Sequence, residues 1–219
     1  MRYYPIYLDM RGRNALVVGG GAVGSRKAQT LLRAGARVTV VSPQVTAAIR
    51  SLAGTGELTW HERPYRASDM EAMFLVFSAT DDPDLNHRIE ADATRQHVLC
   101  NFADAPDRGH FILPSIVARG DLIVSISTSG KSPAVARRLR QELEAYFGEE
   151  YGPFLQLMGA IREQLLARAH APEDHRKVFD RLIDEGLLAL VKAGDREGVD
   201  TLLQSVLGDD FDAEHLMVR

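Results

Sequence analysis

Gly19, Gly21 and Gly24 stand in the spacing G-x-G-x-x-G, with Gly20 in the first gap and Arg26 and Lys27 just beyond. That spacing suits phosphate chemistry. The first glycine permits a tight turn, the second lets backbone approach a pyrophosphate, and the third lets a helix pack close to a strand. The N–H groups that open such a helix, together with its partial positive charge, face the phosphates. No Gly-Lys-Ser/Thr follows at the spacing of a Walker loop, so a dinucleotide is the expected ligand. A second group able to do chemistry is the Asp104 carboxylate in NFADAP (101–106). At the carboxyl edge of a sheet it could act as a general base or hold a metal ion. An Asp before Ala-Pro also serves as a turn or cap residue.

The elements around the glycines fit the dinucleotide reading. NALVVG (14–19) is a short apolar run ending in glycine, as a buried parallel strand does. Residues 22–34 place Val23, Ala28, Leu31 and Leu32 at helical spacing, with Gly35 as a stop. RVTVVSP (37–43) reads as a second strand ended by Pro43. Strand, glycine turn, helix and strand make a βαβ unit with a right-handed crossover. An NAD site usually has an acid at the end of the second strand to bind the ribose hydroxyls. Here Val41-Ser42-Pro43 occupies that place, and no Asp or Glu occurs between Asp9 and Glu57. Ser42 can hydrogen-bond a hydroxyl or tolerate a 2′-phosphate, so the spacing leaves NAD and NADP open.

The alternation continues with a helix over 45–54, strands over 58–62 and 74–80, a helix over 81–96 with acids near its start, and a strand over 98–104. Residues 1–113 are therefore expected to form a parallel α/β sheet domain. The pattern then changes. DLIVSISTSG (121–130) alternates like an exposed or interface strand, and 132–147 is a helix with Ser132 as its cap and Pro133 in its first turn. From Tyr151 onward the pattern is helical, with breaks at Ala171-Pro172, Gly186, Gly194 and Gly208. Three segments follow: 1–113, 114–148 and 149–219.

The bulk properties exclude several classes. A net charge of −4 over 219 residues argues against non-specific nucleic-acid binding. No apolar run reaches the roughly 18 residues needed to span a bilayer, and MRYYPIYLDMRGR lacks a secretory signal's pattern. The single cysteine, Cys100, excludes a disulfide framework and fits a reducing cytoplasm. The histidines show no metal-ligand spacing, so no structural metal is expected. His110, in DRGHF, is the histidine nearest the proposed site, with proton transfer or iron binding as its candidate roles.

The combination resembles one family. YYPIYLDMRGRNALVVGGGAVGSRKA, VVSP, FSATDDPDLN, CNFADAP and FILPSIVARGDLIVSISTSGKSPAVARRLR occur in that order and are similar to precorrin-2 dehydrogenase / sirohydrochlorin ferrochelatase, the N-terminal part of siroheme synthase. The resemblance covers about the first 145 residues closely and the helical tail more loosely. It implies a Rossmann-like parallel sheet domain (1–113), a small dimerisation segment (114–148) and a C-terminal helical domain (149–219). It also implies NAD as the acceptor, precorrin-2 as the substrate, sirohydrochlorin as the product, and a homodimer acting without nucleic acid or membrane. Some members also insert ferrous iron, which makes ferrous iron a candidate second substrate here. With no methyltransferase part following, precorrin-2 is expected from a separate enzyme.

The resemblance puts catalysis on Asp104. The cofactor is expected on Gly19, Gly21, Ala22, Val23 and Gly24 of the loop, on Ser42, Pro43 and Gln44 at the second strand's end, and on Thr80 and Asn101 at later strand ends. The substrate's carboxylates need cations and hydroxyls. Ser127, Thr128, Lys131 and Ser132 of the STSGKSP turn, with Arg137 and Arg140 on the following helix, are the candidates, and Arg108 and Arg119 add charge. Two other readings fit parts of the pattern. One is an NAD-sensing regulatory module without chemistry. The other is a tetrapyrrole chelatase or carrier whose nucleotide is structural. NAD turnover separates the first reading from both.

Overall fold

The computed structural model describes residues 2–103, 105–167, 172–208, 210–213 and 216. Asp104 and the expected break at Ala171 lie outside the described residues. The chain divides into two compact units between Leu113 and Pro114.

Among the described residues, the first unit holds five parallel strands: β1 (Asn14–Gly20), β2 (Arg37–Val45), β3 (Thr59–His61), β4 (Leu75–Ser78) and β5 (Leu99–Phe102). Their order is β3-β2-β1-β4-β5. Side chains alternate between the two faces. Ala15 and Val17 of β1, with Leu75 and Phe77 of β4, pack with Ala28 and Leu31 of α1 (Ala22–Arg33) and Ile49 of α2 (Ala47–Gly54). On the other face Leu16, Val18, Val76 and Phe102 pack with Ile89 and Ala93 of α3 (Pro83–Gln96). With both faces covered, each strand needs apolar residues at consecutive positions, hence the unbroken runs in the sequence. The chain winds outward from β1 to β3, then crosses to β4 and β5 on the other side. This reversal opens a crevice at the carboxyl ends of β1 and β4, where such sheets bind ligands.

The structure differs from the sequence reading at Pro43, which does not end β2. Val18 pairs with Val41 and Gly20 with Val45, so β2 bulges over Ser42, Pro43 and Gln44. The strand resumes where the Thr46 amide donates to the Gly20 carbonyl at 3.0 Å. Pro43 sits exposed in the bulge, where its lack of an N–H costs no ladder hydrogen bond.

The second unit opens with an antiparallel hairpin of β6 (Ser115–Arg119) and β7 (Leu122–Ile126), paired about Val117 and Val124. Only β7 was expected. α4 (Pro133–Tyr146) follows, and the Ser132 hydroxyl accepts from the Val135 amide as its N-cap. Among the described residues four helices complete the unit: α5 (Tyr151–Ala167), α6 (Pro172–Asp184), α7 (Leu187–Ala193) and α8 (Arg196–Leu207). They enclose Ile161, Leu182, Leu187 and Leu203. Gly186 and Gly194 take left-handed φ of 87° and 69° and separate these helices, as their positions in the sequence suggested. Among the described residues no helix is long and apolar enough to cross a membrane.

Candidate active site

A cleft of about 750 Å³ lies at the carboxyl ends of β1, β2 and β4. Gly19 to Val23 form one wall, Ser42 and Gln44 a second, and Ala79 to Asp81 a third. The four glycines have different physical reasons. Gly19 has a φ of +107°, and a Cβ there would meet the Ala79 carbonyl oxygen at 2.3 Å. At Gly20 a Cβ would lie 2.3 Å from the Gln44 carbonyl oxygen, so the bulge of β2 requires this glycine. At Gly24 it would lie 2.0 Å from the Gly19 oxygen, which is the close helix–strand packing expected of the third motif glycine.

Gly21 is different. Its φ of −72° is open to any residue, and a Cβ there would meet no described atom within 4 Å. It is the N-cap of α1, with no side-chain cap bond and no acid in the first turn. The opening N–H groups of α1 have no partner within their own helix and sit beside an open cleft. This cradle fits a phosphate, because a bare helix N-terminus offers donors and partial positive charge where backbone can come close.

On the β2 side, the Ser42 hydroxyl donates to the Gln44 carbonyl at 2.7 Å, and the Trp60 indole N–H donates to the Ser42 carbonyl at 2.9 Å. These bonds fix the bulge and leave the Ser42 hydroxyl oxygen able to accept. Lys27, one turn into α1 beyond Gly24, holds its ammonium 5.2 Å from the Phe77 ring centre. Burial and the neighbouring Arg26 charge push its pKa down.

Beyond β4 and β5 the site is held by amides. Thr80 lines the cleft, and its hydroxyl accepts from the Asp82 amide at 3.2 Å. Asn101 is buried and donates to the Phe111 carbonyl at 2.9 Å, tying the following segment along the edge of β5. His110 belongs to the same seam. Its amide donates to the Cys100 carbonyl at 2.8 Å, and its Nδ1 accepts from the Cys100 amide at 3.1 Å. That ring nitrogen is therefore engaged in holding the sheet edge. Arg108, a candidate cation, is committed to Glu90 through two nitrogens and lies over the Phe102 ring. Cys100 is a core residue, its thiol pushed up to about 12 chiefly by burial.

Of the expected cofactor residues, Gly19, Gly21, Ala22, Val23, Ser42, Gln44 and Thr80 line one cleft. Gly24, Pro43 and Asn101 are outside its lining. Sequence reasoning missed Gly20 and Thr46 in the lining, and it gave Asn86 no role. Asn86 is fully buried and bonds to Ser78 and Thr80. Its signal was an amide at a core-facing position of a helix, one turn after the cap.

In the second unit the hydroxyls are spent within the STSGKSP turn. Thr128 Oγ1 accepts from the Ser132 amide and donates to the Ser132 carbonyl, both at 3.1 Å. Ser127 Oγ accepts from the Ser129 amide at 3.0 Å. Arg140 pairs with Glu144, whereas Lys131 and Arg137 are exposed and carry no ion pair among the described residues. Arg119 caps α4, donating to the Phe147 carbonyl at 2.9 Å and the Glu144 carbonyl at 3.1 Å.

Comparison with known proteins extends this picture. Residues 6–115 match the family model described as putative NAD(P)-binding. Residues 119–146 match that of the central part of sirohaem biosynthesis proteins, and 150–207 that of the sirohaem synthase dimerisation region. The dimerisation match thus falls on α5 to α8, whereas the sequence reading gave that role to 114–148. The chain is 34% identical over 207 residues to siroheme synthase of Photorhabdus laumondii, covering 94% of this chain and 44% of the relative. It is 35% identical over 216 residues to siroheme synthase 1 of Pectobacterium atrosepticum, covering 99% and 45%. The chain thus spans a little under half the length of these relatives. A solved structure of SirC, a precorrin-2 dehydrogenase, superimposes with a TM-score of 0.79 at 26% identity, covering 93% of this chain and 98% of that one.

Proposed function

This chain belongs to the precorrin-2 dehydrogenase / sirohydrochlorin ferrochelatase family, the N-terminal part of siroheme synthase, and on that premise we propose that it oxidises precorrin-2 to sirohydrochlorin with NAD as acceptor. The observation that carries the reading is Gly21: a glycine required by neither backbone nor packing, at a bare helix N-terminus that opens on the cleft. The likeness to a precorrin-2 dehydrogenase over nearly all of both chains supports the substrate.

The overall change removes two electrons and two protons from the macrocycle. One C–H bond is broken as hydride and a second proton leaves to a base. NAD, when bound, supplies the hydride acceptor. The chain's own residues do the rest. The first turn of α1 binds the pyrophosphate, the bulge at Ser42 and Gln44 receives the adenosine end, and the wall at Ala79 and Thr80 orients the nicotinamide end. Asp104 takes the proton, as a carboxylate general base can. Lys131 in the STSGKSP turn and Arg137 on the helix that follows, both exposed, meet substrate carboxylates. The chain works as a homodimer, a reading that the dimerisation match and exposed Ile116 and Ile123 on the hairpin support, and its single cysteine fits a cytoplasmic setting.

The test is anaerobic absorbance of precorrin-2 with the purified protein and NAD, beside Asp104→Ala. Sirohydrochlorin and NADH should appear together with the wild type, and the variant should fail. Adding ferrous iron to the same cuvette reads the second activity, insertion to give siroheme. NAD binding without oxidation would sink the dehydrogenase reading and leave the sensor and carrier readings.

A further inference from the structure

One face of α3 holds both the Thr80 wall of the cleft and Arg108 in the segment that follows β5. Asn86 and Glu90 are four residues apart, so they lie one above the other on that helix. Asn86 is 0% exposed. Its Oδ1 accepts from the hydroxyl of Ser78, the last residue of β4, and its Nδ2 donates to the Thr80 carbonyl at 3.2 Å. These bonds fix the turn in which Ala79 and Thr80 line the cleft. Glu90 Oε2 accepts from Arg108 Nε at 3.1 Å and also from Nη2. The Arg108 guanidinium is seated 5.3 Å from the ring centre of Phe102, the end of β5, with Nη2 3.0 Å from His87 Nδ1.

The two residues either side of Asp104 are anchored to the same elements. The Ala103 amide donates to the Ser78 carbonyl at 3.0 Å, and the Ala105 carbonyl accepts from the Arg108 amide at 3.1 Å. One flank is thus tied to the β4 end that Asn86 holds. The other is tied to the arginine that Glu90 holds.

We propose that Asn86 and Glu90 are paired positioning residues: Asn86 sets the cofactor wall through Ser78 and Thr80, and Glu90 sets the segment flanking Asp104 through Arg108. The Glu90 half rests on the dehydrogenase reading above. The chemistry of each side chain fits its task. An amide accepts from a hydroxyl and donates to a carbonyl at once, which neither an ionised Asp nor a Leu can do. A carboxylate that accepts from two nitrogens of one guanidinium fixes its plane as well as its distance. With side chains 30% and 35% exposed, the Arg108–Glu90 pair is worth little to folding, so its removal reports on position.

The experiment uses the full chain with Asn86→Asp, Glu90→Gln, Arg108→Gln and the double variant of the last two. Asn86→Asp should raise the NAD Kd about tenfold and leave the precorrin-2 KM unchanged, since an acceptor then faces the Thr80 carbonyl. Glu90→Gln should lower kcat about tenfold and leave the NAD Kd within about twofold, because small misplacement near the reacting atoms is costly. Arg108→Gln should match it, and the double variant should cost no more than either single. Should Asn86→Asp not fold, Ser78→Ala removes only the hydroxyl donor and should raise Kd about threefold. The proposal is overturned if the Asn86 and Ser78 variants bind NAD like the wild type, if Glu90→Gln keeps its kcat, or if the Glu90 and Arg108 losses multiply. A wild type that binds NAD but oxidises no precorrin-2 sinks the dehydrogenase reading and the Glu90 half with it, while NAD titration alone decides the Asn86 half.

Discussion

Alanine at Gly24 and at Gly21 should separate a glycine the fold needs from a glycine a ligand needs. At Gly24 the new Cβ falls 2.0 Å from the Gly19 carbonyl oxygen, whereas ordinary van der Waals contact begins at 3.4 Å. The start of α1 must then withdraw from the β1 turn by about 1.4 Å, the difference between the two, and a close-packed interior resists that. Overpacking of this kind costs about 1–3 kcal/mol. For a chain of this length the apo melting temperature should drop by roughly 2–4 °C per kcal/mol. NAD binding should fall as well, because the helix N-terminus has moved.

At Gly21 the outcome should split. The φ of −72° suits alanine and no described atom lies within 4 Å, so only the poorer N-cap counts, below about 1 kcal/mol. The apo melting temperature should therefore stay within about 4 °C of the wild type. A methyl in the cradle nevertheless holds a pyrophosphate away from the N–H groups of the first turn. Losing one hydrogen bond to a charged group costs about 1.5–3 kcal/mol, a rise in the NAD Kd of about 10- to 150-fold. Isothermal titration with NAD and apo thermal melts read both quantities. If Gly21→Ala binds NAD like the wild type, Gly21 is a cap and no more. If its apo protein melts as low as Gly24→Ala, the cradle is not open and the reasoning is wrong.

Two further outcomes follow from groups outside the cleft. Burial opposes the ionised form of Asp69, but paired hydrogen bonds from Arg63 and one from the Arg66 amide outweigh it and hold the carboxyl below its usual range. A depressed carboxyl contributes stability above its unfolded pKa and loses it as pH falls through the folded value. Arg63→Ala should therefore lower the urea midpoint at pH 7, and the gap from wild type should close as pH falls below about 4, where the unfolded carboxyl takes up its proton. Cys100 is 1% exposed with its thiol pushed up to about 12, so a thiol reagent at pH 8 should label it only after denaturant is added.

What the sequence disclosed depended on whether a residue's reason was local. β1, α1 and the start of β2 were legible because apolar runs, helical spacing and a glycine stop are features of neighbouring residues. The Ser132 cap and the left-handed glycines at 186 and 194 were legible for the same cause. β6 was not: SIVAR is five residues long and buries only Val117, so its strand character comes from pairing with β7. The extension of β2 was hidden because Pro43 normally ends a strand, and only a bulge lets the ladder resume at Val45. Gly20 and Asn86 have reasons that reside in distant atoms, the Gln44 carbonyl and the Ser78 hydroxyl. No local pattern encodes those partners, and for Asn86 the sequence shows only an amide on the core-facing side of a helix.

The same distinction bears on the STSGKSP turn. Hydroxyls beside cations in a sequence suggest a ligand surface, but here they are occupied. Thr128 clamps both backbone groups of Ser132, Ser132 caps α4, and Ser127 holds the Ser129 amide, while Ser129 itself takes a left-handed φ of 53°. A non-glycine residue in that region is strained and persists because its neighbours over-determine it. The hydroxyls therefore act by shaping the turn that carries Lys131 and starts the helix bearing Arg137. On the proposed reading, variants of Thr128 or Ser132 should weaken substrate binding through the placement of those two cations, whereas variants of Lys131 or Arg137 should weaken it through charge.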